Sequence, residues 1–114
     1  GRDPFTHAGA DAAAALRRFR EALRAQDGER IRRCLSESFL ALVQQRGGGS
    51  EKFFGLPELR HLGDELATKD DWRIRLPDSG IRVEVPDIKS AEMELQFVEG
   101  QWVISFIMLK PAGP

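Results

Sequence analysis

The sequence predicts a single α+β domain in which three helices pack against one face of a mostly antiparallel sheet. Apolar residues recur at three- and four-residue spacings up to about residue 71, which is typical of amphipathic helices. Beyond that point they alternate with polar residues, and Pro- and Gly-containing turns separate the alternating segments. A chain of 114 residues fits one domain with one core.

Three helices are predicted. The first spans residues 11–28, with Asp11 as the N-cap and Gly28 as the C-terminal stop. A shorter second helix follows and includes Cys34, the only cysteine, which we interpret as a buried structural thiol. The third helix occupies residues 56–71, because Pro57 suits a first helical turn and leucines follow at three- and four-residue spacing.

The segment between the second and third helices is predicted as a strand and a loop. FLALVQQ, residues 39–45, has the length and composition of a strand, although an extension of the helix is the alternative. RGGGSEKFFG, residues 46–55, is predicted as a flexible loop. It lacks the Lys-Ser/Thr pair that a phosphate-binding P-loop requires after its last glycine.

Four strands then complete the sheet as two hairpins. WRIRL at 72–76 and IRVEV at 81–85 alternate apolar and charged residues across the turn PDSG. The second hairpin pairs residues 88–98 with residues 101–109 across Glu99-Gly100.

The register of the second hairpin has two alternatives. With a two-residue loop one wall is wholly apolar, and we favour this arrangement. A glycine bulge that adds one residue would instead bring Glu92, Glu94 and Gln96 beside Trp102 and Ile104. The favoured arrangement pairs Phe97 with Trp102, Leu95 with Ile104, Met93 with Phe106 and Glu94 with Ser105.

The last strand is apolar on both of its faces, since seven of the nine residues 101–109 are apolar. We therefore expect it in the middle of the sheet, with its second face covered by another copy of the chain. The prediction is a homodimer through the sheet, with Val103, Ile107 and Leu109 in the interface.

Composition and charge exclude several classes of function. A net charge of −1 provides no field to recruit nucleic acid or an anionic membrane. No apolar run reaches the length of a transmembrane helix, and no cysteine and histidine spacing indicates a metal site. We expect a soluble chain, cytoplasmic or exported with its signal removed, without metal or cofactor. The predicted domain is 11–110, between a disordered or tag-derived segment 1–10 and a tail 111–114.

Three stretches together resemble the nuclear transport factor 2-like (cystatin-like, SnoaL-like) superfamily. They are ALRRFREALRAQDGERIRRCLSESFLALV, LPELRHLGDEL and AEMELQFVEGQWVISFIML, the last containing Gly-x-Trp-x-Ile. The resemblance covers nearly the whole chain. It implies a cone-shaped, curved sheet with the three helices packed on its concave face and an apolar pocket inside, often dimerised through the sheet. Members include enzymes and noncatalytic binders, so the fold alone does not assign a reaction.

The hypothesis that follows is a noncatalytic module that binds a small apolar or aromatic ligand or a protein. Tryptophan can stack on a flat ligand while its N–H fixes the orientation. The candidate pocket residues are Phe19, His61, Trp72, Phe97, Trp102 and Phe106.

The alternative is an isomerase, lyase or cyclase in which His61 or Glu94 acts as the general base. A ketosteroid-isomerase-like mechanism uses a tyrosine in its oxyanion hole, and this chain contains no tyrosine. The chain also has only two histidines, of which His7 lies close to the N-terminus.

Overall fold

The computed structural model describes residues 7–76 and 82–111, and within them the fold is α+β. Helices come first, and an open three-stranded antiparallel sheet in the order β1-β2-β3 follows. The helices are α1 Ala8–Ala25, α2 Gly28–Cys34, α3 Glu37–Gln45, α4 Gly49–Phe54 and α5 Pro57–Leu66. The strands are β1 Arg82–Glu84, β2 Ala91–Val98 and β3 Gln101–Leu109.

Helix α1 contributes the residues at the centre of the core. Its apolar stripe includes the fully buried Leu16 and Phe19, and the helix contacts both α5 and β3. The helix begins at Ala8, so the predicted N-cap Asp11 lies inside its first turn. It ends at Ala25 before a left-handed Gln26, and Gly28 starts the next helix instead of ending this one.

The strand predicted at residues 39–45 is wrong, because this segment is helix α3. Ser36 is its N-cap, and the Ser36 Oγ accepts the Phe39 N–H at 3.1 Å. This cap, followed by leucine and alanine, outweighs the weak strand preference of Val43. The loop predicted at 46–55 is also wrong in part, because α4 forms within it.

Helix α5 begins at Pro57 as predicted, but it ends at Leu66 and not at the predicted residue 71. Glu65, near this end, binds the segment before β2. The Glu65 carboxylate accepts the backbone N–H groups of Lys89 at 2.7 Å and Ser90 at 2.8 Å, and also the Ser90 hydroxyl. Burial opposes ionisation of this carboxyl, but the three hydrogen bonds outweigh it and lower the pKa of Glu65. The helix is therefore held to the sheet by a charged anchor.

The hairpin predicted at 72–85 is present in a reduced form. Arg75 and Glu84 form one antiparallel bridge, with backbone N to O distances of 2.9 and 2.8 Å. The other residues of 72–76 do not form a strand. The predicted turn at 77–80 lies outside the described residues.

In the last hairpin, the favoured register with a two-residue loop is confirmed only for the pairs near the turn. Glu99 and Gly100 have φ of 51° and 85°, so they form a two-residue turn with both residues left-handed. Phe97 pairs with Trp102 and Leu95 pairs with Ile104, as predicted.

A β-bulge at Ser105 then shifts the pairing by one residue. Glu94 pairs with Phe106 and Met93 with Ile107, so the predicted pairs of Met93 with Phe106 and of Glu94 with Ser105 are wrong. Ile104 and Ile107 consequently lie on the same inner face, opposite buried partners on β2. Before the bulge the even-numbered residues of the strand face inward, and after it the odd-numbered residues do. This change explains why apolar residues occur at both alternating sets of positions.

Strand β3 lies at the margin of the described sheet, so the expectation that it is central is wrong. On its far side Leu35 forms one parallel bridge with Ile104, and the Ser36 N–H donates to the Ile104 carbonyl at 2.8 Å. Among the residues described, no helix combines the length and apolar character needed to cross a bilayer.

Candidate functional site: a groove between α3, α4 and β3

An apolar groove of about 450 Å³ lies between α3, α4 and the C-terminal half of β3. This volume is within the range of sites that bind small ligands. Its lining side chains come from segments far apart in the sequence. They are Phe39, Leu42, Val43, Arg46, Lys52, Phe53, Leu56, Phe106, Ile107, Met108 and Leu109, with Gly47 and Gly49.

The groove exists because the chain leaves the sheet edge at Ser36. The α2–α3 junction pairs with β3 only at Ile104, and the Ser36 cap then turns the chain into α3. Strand β3 continues beside β2 while α3 leaves it, so a space opens between α3 and β3. Its wall is aromatic: Phe39 contacts Phe106 edge to face with ring centroids 6.4 Å apart, and contacts Phe53 at 6.0 Å.

The mouth of the groove is positively charged. Arg46 follows the C-terminus of α3 and Lys52 lies on α4, and both side chains are exposed. None of the described residues that line the groove is acidic. Within residues 7–76 and 82–111, neither cation forms an ion pair with a carboxylate. The groove therefore combines an apolar floor with two cations available to a ligand.

The structure distributes the six predicted pocket residues over different environments. Phe19, Trp72 and Trp102 are buried in the core. Phe97 is 40% exposed near the hairpin turn, where it contacts Trp102 with ring centroids 5.8 Å apart. Phe106 is the member of this set that lines the groove, and His61 is exposed on α5.

The two candidate bases lie on separate elements. His61 is on α5, whereas Glu94 is on β2, where it is paired laterally with Glu84 and lies 3.7 Å from an Arg82 nitrogen. Neither residue lines the groove. The described chain contains no group of three or more histidine, cysteine or acidic residues arranged to hold a metal ion.

The residues predicted for the dimer interface do not share one face, because the bulge separates them. Val103 pairs with Gln96 on the outer face, while Ile107 packs in the core opposite Met93. Leu109 packs partly against the core and also lines the groove. The homodimer itself stays a prediction.

Two other side chains have shifted acidities outside the groove. Cys34, predicted as a buried thiol, is only partly buried, at the edge of the core. This partial burial raises the pKa of its thiol, against the opposing influence of Arg18 and Arg30. Asp87 accepts the Arg73 backbone N–H and Nε–H, each at 2.8 Å, and these contacts lower its pKa to about 2. At neutral pH the Cys34 thiol is therefore protonated and the Asp87 carboxyl group is ionised.

The groove is not predicted from the sequence, because two of its three walls, α3 and α4, are predicted as a strand and a loop. Phe39 and Val43 are four residues apart, which is the spacing of one helix face, and Ser36 stands three residues before Phe39 as an N-cap does. These two signals together indicate α3. Nothing local indicates that α3 diverges from β3.

Comparison with known proteins found no matching family model, no matching curated protein and no matching solved structure.

Proposed function

We propose that this chain is a noncatalytic binding module whose ligand site is the groove between α3, α4 and β3. Its ligand has an apolar body and at least one negative charge. The observation that carries the proposal is the lining itself, which is apolar except for Arg46 and Lys52 at the mouth. An apolar body would remove the exposed parts of Leu42 and Met108 from water, and a carboxylate would meet the cations.

The described lining of the groove contains no histidine, cysteine or carboxylate, which supports a binding role over a catalytic one. Its ionisable side chains are an arginine and a lysine. Proton transfer of the isomerase or lyase type most often uses a histidine or a carboxylate within hydrogen-bonding reach of the substrate.

The proposal includes a nuclear transport factor 2-like fold, in which the helices pack on the concave face of a curved sheet. The order of elements supports it, since a long first helix and shorter helices precede an antiparallel sheet. The contacts of α1 and α5 with β3 are also consistent with it.

Decanoate tests the proposal, because it combines an apolar chain with a carboxylate. We expect saturable heat in calorimetric titration and a higher melting temperature, with weaker binding of decanol. Leu42→Gln should weaken decanoate binding about threefold to tenfold through lost apolar contact. Lys52→Gln should weaken decanoate binding and leave decanol binding unchanged.

Val98→Gln is the matched control, because Val98 is 38% exposed and lies outside the groove, much like Leu42 at 39% within it. Equal decanoate affinity in the parent, Leu42→Gln and Val98→Gln would disprove the assignment of the site.

A further inference from the structure

The edge of β3 that faces away from β2 is covered only in its first half. Leu35 is bridged to Ile104 on this edge, the Ser36 N–H donates to the Ile104 carbonyl, and the chain then turns away into α3. Beyond the bulge the edge faces the groove, since residues 106–109 line it.

The direction of the backbone groups along this edge follows from one hydrogen bond. The Lys110 N–H donates to the Ser90 carbonyl at 2.9 Å, so the backbone of Lys110 points toward the β2 side. Successive residues of a strand direct their backbone groups to opposite edges. Leu109 and Ile107 therefore direct their N–H and C=O groups away from β2, toward the groove.

These four backbone groups are available for pairing. Within the described residues, no backbone group of a neighbouring segment hydrogen-bonds to Ile107 or Leu109. An unpaired strand edge is a template for another strand. Here it borders an apolar groove that can accept side chains.

We infer that the groove takes an extended polypeptide segment of a partner protein, which pairs with residues 106–109 as an added strand. This inference rests on the proposed function and identifies its ligand. Main-chain hydrogen bonds to Ile107 and Leu109 hold the segment, and its alternate apolar side chains enter the groove. Acidic side chains of the segment meet Arg46 and Lys52 at the mouth.

Charge favours an acidic partner over a second copy of this chain. Strand β3 contains no acidic residue between Gln101 and Leu109. Pairing of two β3 edges would therefore bring the Arg46 and Lys52 side chains of both copies together without a carboxylate from either strand. A small apolar acid is less suitable than a polypeptide, because it would leave most of the backbone N–H and C=O groups of Ile107 and Leu109 unpaired.

The test uses an acetylated and amidated peptide of alternating glutamate and isoleucine, titrated into the full chain. We expect saturable binding and slower exchange of the Ile107 and Leu109 amide hydrogens. A matched peptide with lysine in place of glutamate should bind at least about tenfold more weakly. N-methylation of alternate amides in the glutamate peptide should have a similar effect, because it removes donors without changing the protein.

Leu109→Pro removes one edge donor, and an edge position tolerates proline. Leu109→Ala is its control, since it shortens the same side chain and keeps the N–H. We expect Leu109→Pro to bind the glutamate peptide about fivefold to tenfold more weakly than Leu109→Ala, as the loss of one hydrogen bond implies.

Three results would overturn the inference. Binding that is insensitive to N-methylation and to Leu109→Pro would exclude strand pairing. A dimer in solution that Leu109→Pro dissociates, without peptide binding, would assign the edge to a second copy. Decanoate binding without peptide binding would reject the polypeptide partner and leave the proposed function intact.

Discussion

The Glu65 anchor permits a prediction of stability with a defined pH dependence. In Glu65→Gln, the neutral amide keeps one oxygen as an acceptor. Its NH₂ group replaces the other oxygen and so faces a hydrogen-bond donor in place of an acceptor. The change removes the charge from hydrogen bonds that involve Lys89 N–H, Ser90 N–H and the Ser90 hydroxyl.

The magnitude follows from those bonds. A hydrogen bond to a charged group contributes about 1.5–3 kcal/mol, and a buried donor left without an acceptor costs a similar amount. Because Glu65 is partly exposed, water compensates part of the loss. We therefore expect Glu65→Gln to lower the free energy of unfolding by about 1–2 kcal/mol at pH 7, measured by urea denaturation.

The pH dependence has a definite sign. The pKa of Glu65 is lowered in the folded chain from its ordinary 4.5, so its contribution is complete above that value. The contribution is lost as the pH falls through the folded pKa. The parent should therefore lose more stability on acidification than Glu65→Gln does.

Asp64→Asn is the control, because Asp64 is exposed on the same helix. The account is refuted if Glu65→Gln and Asp64→Asn are equally stable at pH 7 and their stability falls in parallel with acid.

Three further predictions concern other described positions. Glu99→Asn should raise the free energy of unfolding by about 0.5–1 kcal/mol, because asparagine adopts the left-handed φ of 51° at lower cost; lower stability in urea denaturation would contradict it. Cys34 should react with iodoacetamide at pH 8 more slowly in the folded chain than in urea, because burial raises the pKa of its thiol; equal rates would exclude this. Asp87→Asn should reduce the loss of unfolding free energy that the parent shows between about pH 4 and the lowered pKa of about 2, because the variant has no carboxylate to be protonated beside Arg73. An unchanged dependence of stability on pH in this range would contradict the pairing of Asp87 with Arg73.

The parts of the fold that the sequence predicts are those decided by neighbouring residues. Pro57 marks the start of α5, and the Glu99-Gly100 turn fixes the register of the pairs beside it. Both depend on local backbone preferences, which a single sequence contains.

The incorrect parts depend on contacts between distant residues. A bulge has no distinct local signature at Ser105, so strict alternation predicts the wrong face for Phe106. The position of β3 at the sheet margin likewise depends on how the α2–α3 junction meets Ile104. The groove depends on both features, and it was therefore not predicted.

The extra residue at the bulge decides which side chains in the last part of β3 face inward. Deleting Ser105 would remove the bulge and leave an unbroken ladder, in which Phe106 still lies opposite Glu94 and Ile107 still lies opposite Met93. A strand that kept Ser105 but lost the bulge would instead turn Phe106 and Met108 inward and Ile107 and Leu109 outward. Evolution could therefore shorten β3 by this one residue without exchanging its interior and exterior side chains.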